Sequence, residues 1–99
     1  MLHIVNKSPG ERQALASCLR MAQDGSAVLL IEDGVYAALQ GSDGSAGLQA
    51  ATARLKVYAL KPDLDARGIS SRVIEGVTTV DYTGFVDLVA RHPTNQSWL

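Results

Sequence analysis

The sequence predicts an α/β domain in which helices cover both faces of a mostly parallel sheet. Short apolar segments typical of buried strands alternate with segments whose apolar residues recur at helical spacing. The clearest buried strand is the continuous apolar run 27–31, because a strand covered on both faces needs apolar side chains on each. Strands that alternate with helices form right-handed βαβ units, and these units build parallel sheets.

The first strand and the first helix are predicted from the start of the chain. Leu2 to Val5 is short and apolar, as expected of a buried strand. Ser8 and Glu11 have the spacing of a capping box, and Pro9 suits the first helical position. Gly25 is expected to end the helix. The inward stripe of this helix is expected at Leu15, Cys18, Leu19 and Ala22.

The middle of the chain contains a sharp turn, a loop and a second helix. The charged turn 32–34 interrupts the apolar run 27–31, and 35–39 is expected to form a short helix. The segment 40–47 contains three glycines and two serines, which is typical of a loop. The alanine-rich segment 48–55 is predicted to be helical.

Two further strands and two helices are predicted in the second half. Residues 56–60 form a strand, and a helical turn runs from Pro62 to Gly68. In the connector 69–77, Val73 and Ile74 are the best strand candidates. Strand 78–80 comes next, followed by a helix over 82–91 that Asp81 caps and Pro93 ends.

Composition limits the classes of function. The 99 residues are 46% apolar and 19% charged, which is typical of one globular domain over 1–99. The net charge of −1 gives no broad basic field for direct contact with nucleic acid or an anionic membrane. The chain shows neither a signal-peptide pattern nor an apolar run of membrane-spanning length, so a cytoplasmic location is expected. Neither a metal site nor a cofactor is predicted.

Cys18 is the single cysteine and the only candidate nucleophile. A thiolate can attack a persulfide and keep the terminal sulfur, provided that the thiol is accessible and its pKa is lowered. Cys18 lies in the middle of the predicted first helix, on or beside its apolar stripe. The alternative is an inert core residue, which is common for free cysteine and is favoured by the sequence alone.

Glu32, Asp33 and Gly34 follow the central strand and form a candidate binding turn. Ligand sites in open parallel sheets form at the carboxyl ends of strands. The two carboxylates could act as acid and base or could bind a partner. The favoured alternative is a plain strand-to-helix turn, in which Asp33 caps a helix and Gly34 supplies a permissive φ.

The tail ends in Trp98 and Leu99, two large apolar residues that are costly to leave in water. Either the tail folds back as an edge strand, or it fills a groove on a neighbouring subunit, and both can hold together. The two residues are therefore candidate interface residues. His3 and His92 have no partner at metal-ligand spacing and are interpreted as structural.

Taken in order, these segments resemble the TusB/DsrH family over nearly the whole chain. No single segment is diagnostic, but their order and spacing together are specific. The matching segments are Met1-Leu2-His3, Ser8-Pro9, Leu29-Leu30-Ile31-Glu32-Asp33-Gly34, Tyr36-Ala37-Ala38, Lys56-Val57-Tyr58-Ala59-Leu60, Asp63-Leu64-Asp65-Ala66-Arg67-Gly68, Asp81-Tyr82-Thr83-Gly84-Phe85-Val86 and Trp98-Leu99.

The resemblance implies a flavodoxin-like (DsrEFH-like) three-layer α/β/α domain with a five-stranded sheet. It also implies a heterohexamer with two sister subunits of the same fold, one DsrE/TusD-like and one DsrF/TusC-like. Such a complex passes sulfur as a persulfide from an upstream sulfurtransferase to a DsrC/TusE-like carrier. In one branch of the family the sulfur ends in 2-thiouridine of tRNA, and in the other the complex serves dissimilatory sulfur oxidation.

A cysteine on the first helix is typical of the DsrH branch, so Cys18 favours that branch while the tRNA branch stays open. The main sulfur-accepting cysteine belongs to a sister subunit, at the start of the helix after the third strand. The corresponding stretch here, 60–63, contains no thiol. The chain is therefore interpreted as a supporting subunit with Cys18 as at most a secondary persulfide carrier. The alternative is a stand-alone α/β domain that binds a small ligand and transfers no sulfur.

Overall fold

The computed structural model describes residues 1–8, 13–42 and 44–98. Within these ranges, five strands form one sheet in the order β4-β3-β2-β1-β5, and every neighbouring pair is parallel. This confirms the predicted α/β/α fold with a five-stranded parallel sheet. The strands are β1 (Leu2–Val5), β2 (Ala27–Leu30), β3 (Lys56–Leu60), β4 (Val77–Val80) and β5 (Asn95–Trp98).

Helices cover both faces of this sheet. The α-helices of the described residues are α1 (Ala14–Met21), α2 (Ser45–Ala51), α3 (Lys61–Ala66) and α4 (Tyr82–Arg91). Buried residues of α1, α2 and α3 pack with one set of strand side chains, whereas Leu88 of α4 packs with Leu2, Ala27 and Leu29 on the other face. The longest of these helices has 10 residues, and none of them is long and apolar enough to cross a bilayer.

The central strand β2 is buried on both faces, as its apolar run predicts. None of the side chains from Ala27 to Leu30 reaches solvent. β1 and β3 also have the predicted bounds. The outer strand β4 is half-buried or exposed along its length, and among the described strands it pairs only with β3.

The first helix differs from its prediction at both ends. α1 begins at Ala14, after Gln13, which makes no side-chain cap. Of the predicted capping box, Pro9, Glu11 and the residues between them lie outside the described residues. The helix ends at Met21, and Gly25 instead forms the turn before β2, where its φ is +86° and its N–H donates to Arg54 across 2.7 Å. The inward stripe is confirmed, since Leu15, Cys18 and Ala22 are buried.

The two helical segments between β2 and β3 begin and end earlier than predicted. A 3-10 helix covers Glu32–Ala38, and α2 covers Ser45–Ala51 rather than 48–55. Gly44 has a φ of +81°, a left-handed conformation that allows the chain to enter the helix three residues early. Asp43 lies outside the described residues.

The second half follows its prediction closely. α3 covers Lys61–Ala66 and is followed by Gly68 at a φ of +67°. In the connector, Ser70–Arg72 is a 3-10 turn, and Val73 forms one antiparallel bridge to Leu39. Asp81 caps α4 as predicted, because its Oδ1 accepts the N–H of Gly84 at 2.8 Å.

Candidate functional site

The turn after β2 lies beside the start of α3, at the carboxyl edge of the sheet. Arg67 connects the two, since its Nη2 and Nε donate to Oδ1 of Asp33 across 2.8 and 3.1 Å. Its Nη1 also donates to the backbone carbonyl of Asp63 across 3.0 Å. Oδ2 of Asp63 accepts the backbone N–H of Glu32 at 2.6 Å. We call Glu32, Asp33, Asp63 and Arg67 the carboxyl-edge cluster.

Arg67 is the central residue of this cluster. Its guanidinium lies 5.8 Å from the centre of the Tyr36 ring, within the range of a cation–π contact. Hydrogen bonding to Asp33 raises the pKa of Arg67, so the cation is permanent. Arg67 holds Oδ1 of Asp33, so the carboxylate of Asp33 is anchored in the free chain.

The sequence did not assign these roles to Arg67, Asp63 or Tyr36. Arg67 was interpreted only as the end of a helical turn, although it follows β3, the strand that pairs with β2. The carboxyl ends of adjacent parallel strands meet at one edge of the sheet. A basic residue after β3 and acidic residues after β2 were therefore the available signal.

The backbone of the turn differs from the expectation for Gly34. Its φ is not in the left-handed region, whereas Glu32 has a φ of +49°, which is uncommon for a residue with a side chain. Gly34 is required by space, because a Cβ there would lie 2.2 Å from the carbonyl oxygen of Val5. The expectation that Asp33 caps a helix is wrong, since the 3-10 segment follows Ile31 and has no side-chain cap.

The thiol of Cys18 lies inside the apolar core between α1 and the sheet. The side chain has no exposed area. Burial raises the pKa of the thiol to about 11, and the positive charge of Arg54 opposes this effect only in part. A buried, protonated thiol is a poor nucleophile at neutral pH. The environment favours the core-residue interpretation, and the role of Cys18 as a persulfide carrier stays a prediction.

The tail forms β5, which confirms the edge-strand alternative for residues 95–98. Trp98 is half-buried, and its Nε1 donates to Nδ1 of His3 across 3.1 Å. Leu99 lies outside the described residues. The interface role of Trp98 and Leu99 stays a prediction.

The structure therefore separates the candidate residues. Glu32 and Asp33 join Asp63 and Arg67 in one bonded cluster, and Gly34 packs on the backbone of β1. Cys18 and Trp98 contact the core on the face that carries α1. No described hydrogen bond links either of them to the carboxyl-edge cluster.

Comparisons with known proteins agree with this fold. The family model described as DsrH like protein matches residues 7–95. Protein TusB of Enterobacter sp. (strain 638) is 43% identical over 98 residues, which are 99% of this chain and 100% of that protein. Protein TusB of Escherichia coli (strain K12) is 39% identical over the same share of each chain.

Among solved structures, the ychN protein from E. coli matches with a TM-score of 0.78 at 21% sequence identity. The match covers 97% of this chain and 97% of that protein. This likeness supports the fold alone. The family match covers most of the chain, and the relatives named TusB are similar along their whole length. The chain therefore belongs to the TusB/DsrH family.

Proposed function

We propose that this chain is a supporting subunit of a sulfur-relay complex that passes persulfide sulfur toward 2-thiouridine of tRNA. The observation that carries the proposal is the 43% identity to a protein named TusB over 99% of this chain. Similarity along the whole length supports the same role in the same type of assembly.

The choice of branch rests on these relatives and on Cys18. The sequence favoured the sulfur-oxidation branch because Cys18 lies on the first helix. The side chain of Cys18 is fully buried, and packing alone accounts for a small apolar residue at this position. Cys18 therefore gives little support to the sulfur-oxidation branch, whereas the relatives named TusB favour the tRNA branch.

A supporting role fits the chemistry at the junction of β3 and α3. The stretch 60–63, where the resemblance places the acceptor cysteine of a sister subunit, has no sulfur atom. Asp63 instead holds the backbone N–H of Glu32 and lies beside Arg67. These bonds stabilise the edge of the sheet and provide no group that can form a persulfide.

The proposed partners are the two sister subunits of the resemblance, in a cytoplasmic heterohexamer. Two exposed features of the described chain suit protein contacts. β5 is an edge strand whose outer backbone groups have no neighbouring strand. On α4, Tyr82, Val86 and Val89 form a stripe at helical spacing, with 61%, 64% and 36% of their areas exposed.

The test is co-production of the chain with its two sister subunits, followed by sulfur loading from a persulfide donor. We expect one complex by size-exclusion chromatography, and intact-mass spectrometry should find the added sulfur on a sister chain. Cys18→Ala in this chain should leave loading unchanged. Added sulfur on Cys18 would instead establish the carrier role, and failure to associate with either sister would reject the proposal.

A further inference from the structure

A cavity of about 300 Å³ lies near the amino ends of β1 and β2, away from the carboxyl-edge cluster. Met1 and Ser26, which immediately precede these strands, contribute to its wall. Met21 at the end of α1 and Trp98 of β5 form other parts of the wall. A volume of this size is at the lower end of the range for small-molecule sites.

His3 supplies a hydrogen-bond donor to this cavity. Its side chain is only 4% exposed and lines the cavity. Nδ1 accepts the indole N–H of Trp98, so the neutral ring carries its own proton on Nε2. Nε2 has no hydrogen-bond partner among the described residues. It still reaches solvent, because Asn6 Oδ1 is the only side-chain polar atom of those residues that is both fully buried and unpartnered. The remaining access of Nε2 is therefore to the cavity.

Ser26 supplies a second such group. It is 7% exposed and lines the same cavity. Its backbone is engaged, since its N–H donates to Gln23 and its carbonyl accepts from Lys56. Its hydroxyl has no hydrogen-bond partner in the described part of the chain, and it still reaches solvent. Two nearly buried residues thus present polar groups to one space without bonding each other, so each group can bond a molecule that enters the cavity.

The remaining wall determines the chemistry of a suitable molecule. The indole of Trp98 and the thioethers of Met1 and Met21 are apolar and polarisable. The amides of Gln23 and Gln96 can donate and accept. No acidic side chain, lysine or arginine of the described residues lines the cavity, whereas the positive amino group of Met1 acts on His3. A cationic ligand would therefore be repelled and would lose hydration without a side-chain counterion.

We propose that this cavity binds a small, planar heterocycle of nucleobase size that carries no positive charge. A ring carbonyl or ring nitrogen accepts from Nε2 of His3 and from the hydroxyl of Ser26, and the ring stacks on Trp98. The net charge of −1 favours a free base or nucleoside over a polynucleotide. The site is separate from the carboxyl-edge cluster but shares β5 with the surface proposed for the sister subunits, so base binding is measured on the free chain and complex formation is measured separately.

Trp98 is the chain's single tryptophan, so its emission reports directly on the cavity. We would titrate the full chain with uracil and with adenine. At least one of the two uncharged bases should change the Trp98 emission and shift the imidazole proton signals of His3, but not those of His92.

Ser26→Ala should weaken base binding roughly fivefold to tenfold, the expected effect of one lost hydrogen bond. Ser97→Ala is the matched control, because Ser97 is exposed in β5 and its side chain points to the other face from Trp98. Met21→Trp fills the space from an exposed position and should abolish binding in a chain that still folds. Because this variant carries a second tryptophan, binding to it is followed by the imidazole proton signals of His3 alone.

Three results would overturn the proposal. The first is no response to either base up to its solubility limit. The second is binding to the Ser26→Ala and Met21→Trp variants that equals binding to the parent chain. The third is loss of base binding when the sister subunits are present, which would identify the cavity as a socket for a partner's side chain.

Discussion

The indole N–H of Trp98 donates to Nδ1 of His3 across 3.1 Å, joining side chains that are 95 positions apart. The two residues lie on adjacent parallel strands, with His3 paired to Gln96 and Trp98 paired to Val5. The bond ties the edge strand β5 to the buried strand β1. Because β5 has one neighbouring strand, this side-chain contact is an important constraint on its position.

Trp98→Phe tests the contribution of this bond. Phenylalanine keeps an aromatic ring but has no N–H, so the free energy of unfolding should fall by about 0.5–1.5 kcal/mol. Urea denaturation followed by circular dichroism measures the change. Hydrogen exchange should also become faster at the backbone amides of β5, while the amides of β2 stay protected. An unchanged free energy of unfolding would show that the bond contributes nothing measurable.

Acid should weaken the same contact. Burial lowers the pKa of His3 below 6.5, and the positive amino group of Met1 adds to this effect. The unfolded chain then binds a proton more readily than the folded chain, so stability is complete above pH 6.5 and falls as the pH drops below it. Protonation also removes the lone pair of Nδ1 that accepts from Trp98.

Unfolding free energies measured over a pH series below 6.5 test this expectation, with Trp98 emission as a local probe. His3→Gln cannot titrate and should lose that part of the acid dependence. Equal pH dependence in the variant and the parent chain would assign the acid effect to other groups.

The sequence predicted the strands well because each of β1, β2 and β3 is a local apolar run. The start of α4 was also predictable from local sequence, because Asp81 accepts the N–H of Gly84, which is only three residues away. The carboxyl-edge cluster was harder to predict because Arg67 and Asp33 are 34 positions apart and meet only when β2 and β3 pair. The cavity near Trp98 was missed for the same reason, since α1 and three strand ends must pack before it exists.

Gly34→Ala should be strongly destabilising. The new methyl group would lie 2.2 Å from the carbonyl oxygen of Val5 and 2.9 Å from its carbon, so the backbone of β1 or of the turn must move. We expect a loss of about 2–4 kcal/mol, at or above the usual cost of overpacking. Chemical denaturation measures it.

Gly47→Ala provides the control within the same chain. A Cβ at Gly47 meets no atom within 4 Å, and this residue lies inside α2. Alanine has the higher helix propensity, so this variant should be more stable by up to about 1 kcal/mol. Similar losses in both variants would contradict the close approach of Gly34 to β1.

Cys18 should resist thiol reagents in the folded chain. Its thiol is fully buried, and its pKa is raised to about 11, so the folded state binds the proton more tightly than the unfolded state. The stability that this proton contributes is complete below pH 9.0 and is lost as the pH rises toward about 11. The loss should approach about 2–3 kcal/mol.

Labelling with Ellman's reagent at neutral pH should therefore be slow and should accelerate in urea. Cys18→Ala should remove this part of the alkaline dependence at a cost of about 1 kcal/mol at neutral pH. Rapid labelling of the folded chain at neutral pH would show that the thiol is accessible, and it would strengthen the case for a persulfide carrier.

Arg67 and Asp33 should be energetically coupled, because the guanidinium donates twice to one carboxylate oxygen. The Asp33 side chain is 52% exposed, so we expect a coupling of about 0.5–1 kcal/mol from a double-mutant cycle with Arg67→Gln and Asp33→Asn. Arg67→Gln alone should cost more than Asp33→Asn alone, because it also removes the bond to the carbonyl of Asp63 and the contact with Tyr36.

A second double-mutant cycle, with Lys61→Gln and Asp65→Asn, is the reference for an ordinary surface pair. Lys61 and Asp65 form an ion pair within α3, and their side chains are 55% and 48% exposed. Their coupling should be less than about 0.5 kcal/mol. If the Arg67–Asp33 coupling were as small as this reference, the carboxyl-edge cluster would be a set of surface charges, and its proposed role in stabilising the edge of the sheet would fail.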